Sequence, residues 1–147
     1  MKKLSFLLVL GFAGLLLSTT SCKKAIEKLT PTFSCDVNAV NWSTHSVIGS
    51  KSDTGIVYTA YEDSVMVMLT LKELKVGSFT IDNKNNFATY THDNSMNIYL
   101  GTSGSINVTK VSDSQVDLNF EFKGFNAVGD SVIISHGVGN HLLYLKQ

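Results

Sequence analysis

Cys22 is the residue in this chain with the most defined chemistry. Ahead of it, Lys2 and Lys3 lead into an apolar run from Leu4 to Leu17, followed by the small polar residues Ser18 to Ser21. A basic start, an apolar stretch and small residues where a peptidase must reach extended backbone make an export signal. A cysteine directly after such a signal is the lipid acceptor of a bacterial lipoprotein. The run has fourteen positions, Gly11 and Gly14 among them, short of the roughly 20 apolar residues of a spanning helix. Cleavage before Cys22 is therefore expected, with more than one acyl chain on the cysteine, because a single chain anchors only marginally. Thr19 and Ser21 stand where a typical lipobox has Leu and then Ala or Gly. The alternative is an ordinary secretory signal with a cysteine nearby, in which case Cys22 and Cys35 could pair as a disulfide. In the lipoprotein reading Cys35 is left as a free thiol. The alternation Phe33, Cys35, Val37 then places it on the core face of a strand, as a small buried hydrophobe.

Other residues suggest chemistry less directly. His136 and His141 are five apart across Gly137-Val-Gly-Asn, an offset that puts them on opposite faces of one continuous strand. A bend at the glycines could bring them together, with His45 or His92 as a further zinc ligand, yet no metal and no cofactor is the expectation. Asp82-Asn-Lys-Asn-Asn, with Asp93 downstream, loosely resembles a calcium loop. Lys84 occupies a ligand position and Phe87 replaces the glycine of the sharp turn, so a polar hairpin is expected instead. No serine lies in a Gly-x-Ser-x-Gly elbow, Ser135 and His136 point to opposite faces, and Asp117 with Glu121 are the wet face of one strand. No enzyme chemistry is expected. Tyr58, Tyr61, Tyr90 and Tyr99 all fall in predicted strands, and a tyrosine strip on a sheet face could bind sugars or peptides. Cross-strand packing is the plainer account. Asp63-Ser-Val and Asp130-Ser-Val match a short O-glycosylation sequence of envelope proteins.

Composition narrows the partners. The 147-residue chain has no arginine, the preferred bidentate reader of phosphates and guanine edges. Loss of Lys2 and Lys3 with the signal leaves ten lysines against twelve acidic residues, a net charge of minus two. Nucleic-acid binding is excluded on this balance. The expected organisation is a signal peptide over 1–21, a lipidated tether over 22–31 and one domain over 32–147, which is long enough for a single core. Lys23 and Lys24 follow the cysteine where surface-exposed lipoproteins of some Gram-negative bacteria carry acidic residues. A lipid anchor in the outer membrane, with the domain on the periplasmic face, is favoured over the cell surface.

The elements that must position these residues have a period of two. Val65, Val67, Leu69 and Leu71 alternate with Met66, Met68, Thr70 and Lys72, while Val116, Leu118, Phe120 and Phe122 alternate with Asp117, Asn119, Glu121 and Lys123. The second run predicts a strand with one wet face. The first is apolar on both faces, as in a central or covered strand. Further strands are predicted at 33–38, 40–48, 55–62, 77–81, 87–91, 96–100, 105–112, 130–136 and 142–145. Turn signals between them include Gly49-Ser-Lys-Ser-Asp, Asp82-Asn-Lys-Asn-Asn and Gly101-Thr-Ser-Gly. Short strands without helical crossovers predict an all-β domain, an antiparallel β-sandwich or flattened barrel of about 8–10 strands.

The order of short motifs resembles an uncharacterised family of small Bacteroidetes lipoproteins. They are Phe33-Ser-Cys-Asp-Val-Asn-Ala-Val-Asn-Trp, Val76-Gly-Ser-Phe-Thr-Ile, Ala88-Thr-Tyr, Ser103-Gly-Ser-Ile-Asn-Val-Thr-Lys-Val, Val116-Asp-Leu-Asn-Phe-Glu-Phe and Val132-Ile-Ile-Ser-His-Gly. Ala39 stands where the first turn of that family has Gly, and Phe79 replaces its Tyr. The resemblance implies an all-β fold and an envelope location and transfers no catalytic residue. In this pattern Gly77 and Gly104 are expected to start strands and Trp42 to plug one end of the core.

Together these readings describe a lipid-anchored envelope protein acting as a binding or structural module, with an envelope protein or a glycan as its partner. The alternative is a small-ligand carrier, which requires a cavity inside a closed barrel. An envelope hydrolase ranks third.

Overall fold

The two-residue period is realised strand by strand in the computed structural model, which describes residues 30–93 and 97–146. The signal, Cys22, tether residues 23–29 and Met96, the expected first residue of one strand, lie outside the described residues. Pro31–Gln147 forms one compact unit. Its strands are β1 (Thr32–Val37), β2 (Val40–Thr44), β3 (Val47–Ser52), β4 (Gly55–Glu62), β5 (Val65–Leu71), β6 (Gly77–Thr80), β7 (Phe87–His92), β8 (Asn97–Val111), β9 (Gln115–Phe125), β10 (Ser131–Leu143) and β11 (Leu145–Lys146).

These strands form one sheet in the order β11-β3-β4-β5-β7-β8-β9-β10-β1-β2, with β6 paired to the outer part of β8 beyond β7. Among the described residues all strand pairings are antiparallel except the two-residue contact of β11 with β3. The sheet curls until it is nearly closed into a barrel. Across the gap, the Thr44 hydroxyl lies 2.9 Å from the Tyr61 carbonyl and 2.7 Å from a Glu62 carboxylate oxygen. The Tyr61 N–H donates to the Ser46 carbonyl at 3.1 Å. The C-terminal segment is tied down by Tyr144, whose hydroxyl donates to the Ser112 carbonyl at 3.0 Å.

Two expected turns are strand instead. Gly101-Thr-Ser-Gly continues β8, because β9 pairs with it on both sides of a bulge between Gly101 and Ser103. Gly104 therefore lies inside a strand and does not start one, whereas Gly77 does begin β6. At Gly104 the φ of +136° and the Glu121 carbonyl that a Cβ would strike explain the glycine. Gly49-Ser-Lys-Ser belongs to β3, and the predicted strand 40–48 breaks at His45-Ser46 into β2 and β3. The predicted strand 130–136 and the start of the predicted strand 142–145 are joined in the single strand β10, whose two bulges keep it on β9, while Leu145 begins β11.

The inward faces fill the interior. Tyr58, Leu69, Ile106, Leu118, Ile134 and Leu142, from five strands, are all essentially inaccessible. Phe33 and Phe120 meet inside the core over the glycines of β10, with ring centroids 4.8 Å apart. Trp42 packs edge-on against Phe33 at 6.3 Å and covers that end. β5 is central, with Val67, Leu69 and Leu71 buried and Met66 and Met68 half-buried on its other face. Burying side chains on this scale contributes about 1.5–3 kcal/mol for each large aliphatic or aromatic group.

The β1–β2 hairpin turns through two residues, Asn38 and Ala39, with φ of 49° and 68°. Both central residues of such a tight turn need positive φ to match the strand twist. Asn tolerates that conformation; Ala does so at a steric cost of about 1–2 kcal/mol. Ala39→Gly is therefore expected to stabilise the domain by about 1 kcal/mol, part of the relief being offset by glycine's greater unfolded-state freedom. Urea denaturation checks this, and an unchanged or lowered midpoint contradicts it.

Candidate functional site

The outer face of β8, β9 and β10 gathers polar side chains around a depression. Ser105 pairs with Glu121 and Asn107 with Asn119 across β8 and β9. Next to them β10 bulges between Ile134 and Gly137. The bulge holds His136 at φ +51° and turns its imidazole outward, 82% exposed. A groove of about 340 Å³ runs between these groups. A neighbouring depression of about 280 Å³ shares Glu121 and adds Ser103, Lys123 and Ser135.

Packing beneath the surface fixes this shape. Phe120 and Phe122 are large inward side chains, and each faces a glycine, Gly137 and Gly104 respectively. A Cβ at Gly137 would strike the Phe120 carbonyl and lie 2.7 Å from its ring. The bulge is what allows Ile134 and Gly137 both to face inward although three positions separate them, and His136 is the residue displaced outward.

His136 is held by a carboxylate 100 positions earlier in sequence. Its Nδ1 lies 2.9 Å from an Asp36 oxygen on β1, and the Asn41 side-chain amide donates to the other Asp36 oxygen at 3.3 Å. These two hydrogen bonds, that of His136 first, hold the Asp36 carboxyl below its ordinary range. His141 sits in the second bulge of β10, between Gly139 and Leu142, at φ +54°. Its backbone N–H donates to Asp117 on β9 at 2.6 Å, and its Nδ1 is 3.8 Å from the same oxygen. The two histidines thus point to different carboxylates on opposite sides of β10. His45 bonds the Pro31 carbonyl, and His92 contacts Asp93. Among the described residues, no three His, Cys, Asp or Glu side chains gather closely enough to hold a metal ion.

The tyrosines are divided as well. Tyr58 lies in the core with its hydroxyl unpartnered by protein atoms, and Tyr61 is 47% exposed on the outer face. Tyr90 and Tyr99 are cross-strand partners with ring centroids 5.7 Å apart, Tyr90 buried and Tyr99 half-buried. They pack inward, and the four rings do not share one face. In the loop 82–86, one Asp82 oxygen accepts backbone N–H bonds from Lys84, Asn85 and Asn86 at 2.8–3.1 Å. These bonds push the Asp82 carboxyl far down, and its acceptor capacity is spent inside a polar hairpin. In the two Asp-Ser-Val segments, Ser131 is exposed and Ser64 half-buried.

Cys35 is buried and free. Burial, then the negative charge of Asp36, pushes its thiol from the ordinary 9.0 up to about 12. The unfolded chain releases this proton near pH 9 while the folded chain keeps it. The associated stability is complete below pH 9 and is lost as pH rises from 9 toward 12, by up to about 1.4 kcal/mol per pH unit. Urea unfolding at pH 8 and pH 10 should therefore show a larger alkaline loss in the wild type than in Cys35→Ala. Equal losses would mean that the thiol ionises as readily in the folded chain as in the unfolded one.

Sequence reading identified His136 and the wet face of β9 but not the groove. Asp36 and Asn41, which hold His136 at the groove's margin, and Asn107, which lines its other side, are remote in sequence and carry no local motif.

A protein-family model described as a domain of unknown function, DUF6252, matches residues 29–141, and the chain belongs to that family. Neither a curated protein nor a solved structure matches it.

Proposed function

Starting from membership in that family, we propose that this protein is a lipid-anchored envelope module that binds a polar partner, a glycan or an extended peptide segment, in the groove over β8–β10. The observation that carries the reading is the groove itself, where amides, hydroxyls, Glu121 and His136 converge on one outer surface. Such groups exchange hydrogen bonds with a polar chain. The His136–Asp36 contact fixes the imidazole before a ligand arrives, which lowers the ordering cost of binding.

The anchor half of the proposal rests on the sequence: the export signal, its small polar end and Cys22. The lysines after Cys22 favour the periplasmic face of the outer membrane over the cell surface. A binding role is preferred to a carrier role because large inward side chains from strands all round the sheet, Tyr58, Leu69, Ile106, Phe120 and Ile134 among them, form one buried cluster. No catalytic step is part of this proposal.

Two measurements test it. Radioactive palmitate is expected on the wild type and absent from Cys22→Ala; equal label in both contradicts the anchor. Crosslinking in the intact envelope followed by mass spectrometry is expected to capture a reproducible partner with the wild type. The double variant Asn119→Lys, Glu121→Lys should lose it while retaining cooperative unfolding. The same partner captured by both would move the binding surface elsewhere.

A further inference from the structure

A second outer face, on β3, β4, β5, β7, β8 and β9, has the opposite character. One row of directly paired residues crosses all six strands: Ile48, Thr59, Met68, Thr89, Leu100 and Phe125. A second row beside it is Tyr61, Met66, Thr91 and Ile98. On the other flank lie Ser50, Val57, Thr70 and Phe87. Not one of these side chains is charged. Ile48 and Leu100 are more than half exposed and Tyr61 and Ile98 nearly half, while Thr89 and Thr91 between their larger paired neighbours are buried. Lys123 stands at the border with its Nζ 5.0 Å from the Phe125 ring centroid.

We propose that this uncharged face lies against the lipid surface to which the protein is tethered; the inference rests on the anchor reading of Cys22. Size argues for a lipid occupant over a second copy. Six strands and three rows make a face roughly 25 Å by 15–20 Å, a few hundred Å² against the roughly 800 Å² per partner of a stable dimer. An apolar patch of this size binds weakly on its own and becomes effective when a tether supplies the local concentration. The point of attachment fits. Residues 22–31 reach at most about 30 Å, and the domain begins at Pro31, whose carbonyl is bonded by His45 beside Thr44. Thr44 in turn is hydrogen-bonded to the Tyr61 carbonyl at 2.9 Å, at the end of the second row. The tether therefore enters at the margin of the uncharged face. Tyr61 and Lys123 at its borders are side chains that place an apolar body in lipid and a polar tip in water.

The test uses the full chain, processed and lipidated, in vesicles of phosphatidylethanolamine and phosphatidylglycerol. Single cysteines replace Leu100, Ile98 or, on the polar face, Asn119, and each carries an environment-sensitive fluorophore. Cys35 is buried and stays unlabelled. Lipids with brominated acyl chains are expected to quench the labels at 98 and 100 by about twofold or more while leaving that at 119 unchanged, as for a face seated at the headgroup boundary. Palmitate present on Cys22 with all three labels in water overturns the face inference and leaves the anchor standing. Palmitate absent overturns the anchor reading itself. Labels at 98 and 100 that are shielded from water, insensitive to bromine and dependent on protein concentration identify a second copy as the occupant and overturn the lipid proposal.

Discussion

Each strand must keep one face inside a sheet that curls almost onto itself, and the rest of the structure depends on that constraint. Side chains alternate strictly, so a slip of one position would move a whole hydrophobic set to the outside. The long strands β8 and β10 cannot follow the curl with unbroken alternation. β10 meets the requirement with two bulges, at His136 and His141, each in the left-handed conformation. Ile134, Gly137, Gly139 and Leu142 all pair on the inner side of β9 as a result. The same two displacements deliver two imidazoles to the outer surface, one to Asp36 and the other to Asp117. Filling the interior and exposing polar chemistry are thus one geometric event.

The interior explains the glycines of the long strands. Phe120 and Phe122 are the large side chains of β9, and the positions facing them on β10 and β8 are Gly137 and Gly104. A side chain at either would collide with backbone on the facing strand. A large residue opposite glycine gives dense packing where two bulky residues would force the strands apart. The aromatic contact of Phe120 with Phe33 then joins β9 to β1 over the glycines of the intervening β10. The groove over β8–β10 is the outer surface of this arrangement.

Much of the fold was legible in the sequence and little of the site was. The alternations 65–71 and 116–122 located β5 and β9 because one-sided burial imprints a period of two on composition. Gly101-Thr-Ser-Gly and Gly49-Ser-Lys-Ser read as turns for a physical reason: glycine and serine also serve bulges and close approaches, and composition does not separate the two uses. The left-handed histidines in β10 break the alternation beside Gly137 and Gly139, glycines that allow a bend without specifying which neighbour is displaced outward. Asp36 and His136 meet only because β1 pairs with β10, and that pairing is a property of the whole sheet. The tyrosines read from strand propensity were in strands, but parity sends Tyr58, Tyr90 and Tyr99 inward and Tyr61 outward.

The outside of the sheet is divided between a polar groove and an uncharged face, and both assignments presuppose that the inside is full. Xenon titration followed by methyl NMR measures this directly, since an apolar cavity large enough for a small ligand takes up xenon. No saturable shift is expected at the methyls of Leu69, Ile106, Leu118 and Ile134. A saturable shift there would show a binding cavity within the barrel, and the protein would have to be read as a carrier of small apolar ligands.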